Sequence, residues 1–194
     1  MPQPLTKPSS PARALAFAVL LALSPAGLLL TLAPGSARAV AATNKATRAS
    51  ETAPLLRSRL LWATIDVCNA TDQPDTIGIR GSMPGDHAAH DAMFMRFRLQ
   101  YMNTTTKAWV DLTKGAAEAY TNVGTGASAR QAGRSFQLNP VAGQPAFTLR
   151  GVVNFEWRRK GALVAQASRA TSAGRVSLAG SDPEGFSAAT CLIG

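Results

Sequence analysis

The sequence has few of the side chains that carry enzymatic chemistry. Its 194 residues include only two cysteines, two histidines and eleven acidic residues. The cysteines do not form a CxxC pair, and neither the HExxH signature of metalloproteases nor the GxSxG signature of α/β-hydrolases occurs. The acidic residues form no pair suited to acid–base catalysis, and the glycines form no phosphate-binding loop. We therefore expect a protein that is not an enzyme and uses no cofactor.

Long apolar runs are also absent, except for one at the N-terminus. Residues 14–33 are apolar, two basic residues precede them, and small residues follow. This order is typical of a signal peptide, with cleavage before Val40 or two residues later. Pro25 interrupts the run, which favours a cleaved leader over an uncut membrane anchor. We predict a signal peptide over residues 1–39 and a secreted or extracellular protein, free or cell-surface associated, with membrane attachment only if the leader is uncleaved.

Acidic residues are outnumbered by basic ones, and the formal net charge is +9. Three of these charges, Lys7, Arg13 and Arg38, belong to the predicted leader, so the rest of the chain keeps six. A basic exported protein is attracted to anionic surfaces such as cell-wall polymers, acidic lipids or DNA. We expect its partner to be an anionic cell-surface polymer or another extracellular protein.

Residues 40–57 are small and polar and contain no aromatic side chain. Such a composition is typical of a flexible linker. The remaining chain, residues 58–194, is of ordinary size for one domain and shows no internal repeat. We predict a linker over residues 40–57 and one folded domain after it.

Two segments of this domain alternate between apolar and polar residues with a period of two. In Phe147–Trp157 the odd positions are mainly apolar, and in Met93–Met102 they are apolar throughout. Successive side chains of a strand point to opposite faces, so each segment predicts a strand with one buried face. A turn at Gly161 returns the first segment to a partner strand, and a turn at residues 103–106 returns the second.

Further short strands are expected elsewhere in the domain, which makes seven to nine in all. An antiparallel β-sandwich of the immunoglobulin-like type accounts for this spacing, and a small barrel is the alternative. Residues 113–131 remain open between a long loop, a pair of edge strands and a short helix. The other predicted strands are Leu61–Val67, Thr76–Arg80, Ser135–Leu138 and Phe186–Ile193.

The two cysteines, Cys68 and Cys191, predict one disulfide. An even cysteine count in an exported chain favours pairing, and no base stands beside either thiol to make it reactive. The bridge would close almost the whole domain. Cys68 has the parity of the polar positions in its strand, so we expect either a β-bulge or a bridge outside the core.

Both histidines lie in one short acidic segment. Asp86, His87, His90 and Asp91 stand within six residues of each other, as part of a metal site would. The spacing matches no metalloprotease motif, so a polar loop is the favoured interpretation and no metal site is predicted. A metal-dependent hydrolase that uses these four residues is the alternative function.

Arginines occur on the polar face of the predicted strands. Arg96 and Arg98 join Arg80, Arg150 and Arg158 in one basic stripe if their strands are neighbours. Such a stripe suits a polyanion. Nucleic-acid binding surfaces mix rings with basic residues, whereas four rings here have the opposite parity, so we expect no specific nucleic-acid partner. Those rings are Phe97, Tyr101, Phe155 and Trp157.

Three segments carry a family resemblance. Residues 147–157 with the following turn, residues 77–85 and residues 185–191 resemble a group of uncharacterised exported actinobacterial proteins with a bacterial immunoglobulin-like β-sandwich domain. The resemblance covers about residues 60–194 and implies export and a sandwich fold. It implies no activity and no functional residues. The function predicted from the sequence is a non-catalytic secreted or cell-surface binding or structural module, with its ligand unknown.

Overall fold

The protein is built almost entirely of antiparallel strands. The computed structural model describes residue 50 and residues 52–113, 119–176 and 178–194, in which one helical turn, at residues 52–57, precedes nine strands. The all-β prediction is confirmed. The strands are β1 (Trp62–Ala70), β2 (Gln73–Met83), β3 (Asp91–Asn103), β4 (Ala108–Asp111), β5 (Thr121–Thr125), β6 (Arg130–Gln137), β7 (Phe147–Arg159), β8 (Ala162–Ala170) and β9 (Cys191–Ile193).

The strands form two sheets. One has three strands in the order β1-β2-β6, and the other has six strands with β3 and β7 at its centre. β3 and β7 pair from Asp91 with Arg159 to Tyr101 with Leu149. On the other side of β3 lie β4 and β5, and on the other side of β7 lie β8 and β9. The two long central strands therefore position every other strand of the larger sheet.

The two sheets pack face to face around one apolar core. They come close at two glycines, Gly81 of β2 and Gly151 of β7. A Cβ atom on Gly151 would lie 2.6 Å from Cδ1 of Ile79, and one on Gly81 would lie 3.0 Å from Cγ1 of Val153. Because a side chain has little room at either position, glycine allows the facing sheets to approach this closely. The predicted sandwich arrangement is confirmed.

The predicted alternation in the two central strands is also confirmed. The odd-numbered residues of β3 from Met93 to Leu99 are buried, and the even-numbered residues between them are half-buried. The odd-numbered residues of β7 from Leu149 to Trp157 are likewise buried. The turn into β8 has Lys160 at φ 48° and Gly161 at φ 82°, which is the backbone that a two-residue hairpin requires.

β1 is buried on both faces, and the C-terminal part of the chain pairs with its free edge. Residues 62–67 are all buried. Ile65 exchanges two backbone hydrogen bonds of 3.0 Å with Ala188, and the hydroxyl oxygens of Thr64 and Ser187 lie 2.7 Å apart. The prediction of a strand from residue 186 is therefore wrong over 186–190: these residues make only an isolated bridge to β1, and β9 begins at Cys191.

A β-bulge at Asp66 explains the orientation of Cys68. Ile65 pairs with Ile79 and Val67 with Gly78, so that Asp66 is the extra residue in β1. Cys68 then packs against the core, although its sequence parity matched the polar positions. It forms the predicted disulfide with Cys191, and this bond joins β1 of one sheet to β9 of the other. Of the two alternatives, the bulge is confirmed.

The described structure includes the last residues of the predicted linker. The predicted signal peptide, residues 1–39, and residues 40–49 of the predicted linker lie outside the described residues. Residues 52–57 of that linker are helical, and Leu55 is buried as a member of the apolar core. The packed structure therefore begins before residue 58. No helix among the described residues is long and apolar enough to cross a membrane.

Residues 113–131, for which the sequence allowed a loop, edge strands or a short helix, contain strands and no helix in their described part. β5 pairs with β3 in the larger sheet, whereas β6, which begins at Arg130, pairs with β2 in the smaller sheet. The chain therefore crosses between the sheets at residues 126–129. Residues 114–118 of this segment lie outside the described part.

Candidate functional site

The outer face of the six-stranded sheet brings four arginines and three aromatic rings together. Arg96 and Arg98 of β3 lie beside Arg150 and Arg158 of β7, because the two strands are antiparallel neighbours. The rings come from β3, from β4 and from the residue before β5. We name this surface the arginine face, formed by Phe94, Arg96, Arg98, Gln100, Trp109, Asp111, Tyr120, Arg150, Asn154, Glu156 and Arg158.

Each ring of the arginine face has a guanidinium group beside it. The Cζ atom of Arg150 lies 4.3 Å from the ring centroid of Trp109. The corresponding distance is 4.5 Å from Arg158 to Phe94 and 5.0 Å from Arg96 to Tyr120. The electron-rich ring faces attract the cations, which restricts the long arginine side chains. The rings thus serve as supports for the positive charges.

Hydrogen bonds around Asp111 fix one end of the arginine face. Arg98 Nη1 lies 2.6 Å from Asp111 Oδ2, and Arg98 Nε donates to Asn154 Oδ1 at 3.0 Å. The Gln100 amide donates to Asp111 at 2.9 Å and accepts a hydrogen bond of 2.8 Å from Arg150 Nε. Burial lowers the pKa of Arg150, although the charge of Asp111 opposes this shift. Arg150 nevertheless keeps its positive charge at neutral pH, because an arginine side chain is not deprotonated in this range.

Glu156 organises the other end of the arginine face. Its carboxylate forms an ion pair with Arg158, whose Nε donates to it at 2.7 Å. Burial, together with the hydrogen bond and the charge of Glu156, raises the pKa of Tyr120. The tyrosine hydroxyl therefore stays protonated and donates to Glu156. Beside this group lies a cleft of about 320 Å³, lined by Tyr120, Asn154, Gln166, Ala167 and Ser168.

Two of the four guanidinium groups have no carboxylate partner among the described residues. Arg98 and Arg158 form ion pairs with Asp111 and Glu156, whereas no ion pair involves Arg96 or Arg150. The Nε atom of Arg96 is buried and donates to no acceptor in the described part of the chain. The named residues of the arginine face therefore carry an excess of two positive charges.

Four of the five arginines predicted to form a basic stripe lie together on the arginine face. Arg80 is the exception, because it lies on β2 in the smaller sheet. Its Nε atom lies 2.8 Å from Oδ2 of Asp66, and its Nη1 atom donates to the backbone oxygen of Ala179. Arg80 thus neutralises the buried bulge residue of β1 and is separate from the arginine face.

The sequence analysis predicted the positions of the four core rings but not those of the three rings on the arginine face. The four rings assigned to the core face do face the core. Phe94 has the same parity as Arg96 and Arg98, so its position on the same face could have been predicted from the sequence. Trp109 and Tyr120 reach the arginine face only because β4 and β5 pair with β3, which no local pattern shows.

The segment of histidines and aspartates is not arranged as a metal site. Asp91 is fully buried and its carboxylate is occupied by Arg159, at 2.9 and 2.8 Å. His90 Nε2 lies 3.3 Å from Asp91 Oδ1, and His87 is exposed. The described residues contain no group of three or more His, Cys, Asp or Glu side chains that could hold a metal ion. This arrangement offers no support for the metal-dependent hydrolase with Asp86, His87, His90 and Asp91.

Asp86 and Asp91 instead affect the pKa values of each other. Burial and then the hydrogen bond to Asp91 raise the pKa of Asp86. The hydrogen bond from Arg159 lowers the pKa of Asp91, against the effect of its burial. The pKa values of the two carboxyl groups are therefore shifted in opposite directions, that of Asp86 upward and that of Asp91 downward. This pair connects the loop before β3 to the end of β7 through Arg159.

Comparison with known proteins does not assign this chain to a family. No family model matches the sequence, and no curated protein matches it. A solved structure of Pseudomonas fluorescens alkylpurine DNA glycosylase AlkC, bound to DNA containing an abasic site analogue, is similar in part. The match has 15% sequence identity and a TM-score of 0.30, and it covers 58% of this chain and 29% of that chain. The chain thus spans less than a third of that protein, and a likeness at this TM-score identifies neither fold nor function.

Proposed function

We propose that this protein is a non-catalytic secreted or cell-surface binding module, and that its arginine face binds an anionic polysaccharide. One observation supports this function above the others. Four half-buried arginines share the outer surface of one sheet, and two of them, Arg96 and Arg150, have no carboxylate partner among the described residues. A ligand with spaced negative charges would provide the missing counter-charges.

The composition of the arginine face favours a sparsely charged polymer over a nucleic acid. Asp111 and Glu156 reduce its excess charge to two, which is little for a polymer with a phosphate on every unit. Single-stranded nucleic acids also need open rings on which bases stack. Here Trp109 lies 4.3 Å from a guanidinium group, which competes for its ring face. Neutral side chains such as Gln100 and Asn154 suit the hydroxyl groups of a sugar.

Export and the type of sandwich belong to the same proposal. The predicted leader supports export, and an intramolecular disulfide is typical of proteins in oxidising compartments. The disulfide joins the two sheets, as the one in antibody domains does, which supports the immunoglobulin-like type. The basic charge of the chain fits a position close to an anionic cell surface.

Retention on polysaccharide beads tests this function. The purified protein is applied at low salt to beads carrying a polyuronate or neutral dextran, and eluted with increasing salt. We expect retention on the polyuronate only, and loss of retention as salt screens the charges. The double variant Arg96→Gln/Arg150→Gln should bind about tenfold or more weakly, because it loses two charge-assisted contacts.

A matched variant separates the arginine face from net charge. Arg57→Gln/Arg134→Gln removes the same two charges from exposed positions away from this surface and should be retained like the parent. Equal loss in both double variants would reduce the interaction to a general charge effect and reject the proposed site. Tighter binding to a single-stranded oligonucleotide than to the polyuronate, or no sedimentation with cell walls at low salt, would also reject the proposal.

A further inference from the structure

The cleft beside Tyr120 lies at the edge of the arginine face and is lined by neutral hydrogen-bonding groups. Its volume is about 320 Å³, close to the lower limit for sites that hold one small ligand. The Tyr120 ring, the Asn154 and Gln166 amides and the Ser168 hydroxyl line it. Gln166 and Ser168 lie on β8, and both are exposed. These side chains offer donors and acceptors at several positions, as the hydroxyl groups of a sugar ring require.

One cationic group adjoins the cleft and has no carboxylate partner in the part of the chain that the structure describes. Arg96 lies directly opposite Asn154 in the β3–β7 ladder, and its Cζ atom is 5.0 Å from the centroid of the Tyr120 ring. Its guanidinium group forms no ion pair among the described residues. A cation beside a cleft without a carboxylate partner favours an anionic ligand over a neutral one.

The charges around the cleft select for one negative charge. Arg96 and Arg158 are positive, and both lie within 5.4 Å of the Tyr120 ring centroid. Glu156 is negative, and Arg158 and the Tyr120 hydroxyl already hold its carboxylate. Among the described residues the local sum is a single positive charge, that of Arg96. A monoanion matches this surplus, whereas a neutral sugar leaves the charge of Arg96 without a counter-charge.

We infer that this cleft is the subsite for one carboxylated sugar unit, a uronic acid, of the polysaccharide bound by the arginine face. The inference rests on the proposed function and adds the chemistry of the repeating unit. Arg96 binds the carboxylate of the sugar. Asn154, Gln166 and Ser168 bind its hydroxyl groups, and Tyr120 forms the wall against which the ring packs.

The test compares two sugars that differ only in the carboxylate. Sodium glucuronate and glucose are titrated into the ¹⁵N-labelled protein, and the side-chain amide signals of Asn154 and Gln166 are followed by NMR. We expect glucuronate to shift both signals and to bind about tenfold or more tightly than glucose, since it alone forms a charge-assisted hydrogen bond with Arg96.

Two single variants assign the contacts. Arg96→Gln should weaken glucuronate binding about tenfold and bring it close to that of glucose. Gln166→Ala should weaken both sugars alike, because it removes a contact to hydroxyl groups. Arg134→Gln, which removes an exposed arginine of the smaller sheet, should leave both titrations unchanged.

The outcomes distinguish this inference from the proposed function. Equal binding of the two sugars would overturn the inference, because the carboxylate would then not be recognised. It would also be overturned if neither sugar shifted the amide signals while Arg96→Gln/Arg150→Gln still lost retention on polyuronate beads. In that case the binding surface would stand without this subsite. Failure of the bead experiment as well would remove both.

Discussion

Arg159 holds the buried carboxylate of Asp91 with two nitrogen atoms, Nε at 2.9 Å from Oδ1 and Nη2 at 2.8 Å from Oδ2. The two residues face each other in the first pair of the β3–β7 ladder. The Asp91 side chain is fully buried, whereas that of Arg159 is 49% exposed. One ion pair thus secures the end of the two strands that carry the arginine face.

We expect Arg159→Gln to lower the free energy of unfolding by about 1–3 kcal/mol at neutral pH, because a buried carboxylate loses its charged partner. Arg159 lowers the pKa of Asp91 in the folded state, so its contribution is present above the ordinary pKa of 3.8 and is lost as the pH falls. Urea unfolding at neutral and acidic pH checks both points. The exposed substitution Arg134→Gln is the control, and a loss that is the same at both pH values would contradict the assignment.

Asp86 contributes to the pH dependence of stability with the sign opposite to that of Asp91, and Asp86→Asn should remove this contribution. The pKa of Asp86 is raised from 3.8, so its protonated form stabilises the fold and this contribution is lost as the pH rises through the folded-state value. Asparagine retains an oxygen for the Ala88 amide, 3.0 Å away in the parent, and does not titrate. Thermal unfolding between about pH 4 and pH 7 should show a smaller decline for the variant than for the parent. A steeper decline would contradict the raised pKa of Asp86.

Removal of the disulfide should destabilise the protein strongly. The bond between Cys68 and Cys191 spans 123 residues, for which chain entropy gives about 5 kcal/mol. The double variant Cys68→Ala/Cys191→Ala should lose about 4–5 kcal/mol in chemical unfolding, a large share of the stability of a typical domain. Reduction of the parent should have a similar effect. An unfolding midpoint unchanged by reduction would contradict this stabilisation.

Gly151→Ala should destabilise the contact between the sheets by about 1–3 kcal/mol through overpacking. The new methyl group would lie 2.6 Å from Cδ1 of Ile79. Ile79→Val removes that atom, so the double variant should recover part of the loss in a double-mutant cycle. Gly133→Ala, whose nearest atom would be 3.4 Å away, is the matched control. Additive effects of the two substitutions would show that the predicted clash does not occur.

Trp109→Leu should weaken polyuronate retention about two- to fivefold, because Arg150 loses its cation–π contact with the ring. If Trp109 acts only by supporting Arg150, the same substitution should have no further effect in the Arg150→Gln background. Retention of the four proteins of this cycle is measured at one salt concentration. Independent losses in both backgrounds would assign the tryptophan a direct contact with the ligand instead.

Patterns within single strands were sufficient to predict much of the fold. The burial of alternate residues in β3 and β7 follows from the period-two geometry of a strand, which operates over neighbouring residues. The turn at Gly161 follows from the freedom of glycine at positive φ. With only two cysteines available, an intramolecular disulfide had one possible pairing.

Structural features that depend on pairing between distant segments could not be predicted from the sequence. The bulge at Asp66 is visible only when β1 is aligned with β2, and it reverses the parity assigned to Cys68. The coverage of β1 depends on a segment more than 100 residues away, which contacts it at Ala188. Leu55 joined the core although the small polar residues around it are typical of a linker.

For the candidate site, the sequence by itself determined that arginines occupy the polar face of two strands, because parity along a strand is a local property. Only the tertiary structure decided which arginines meet, which rings lie beside them, and that Arg80 belongs to the other sheet. Strand neighbours are chosen by the burial of the whole core, which sums over contacts distant in the chain. No single stretch of residues contains that information.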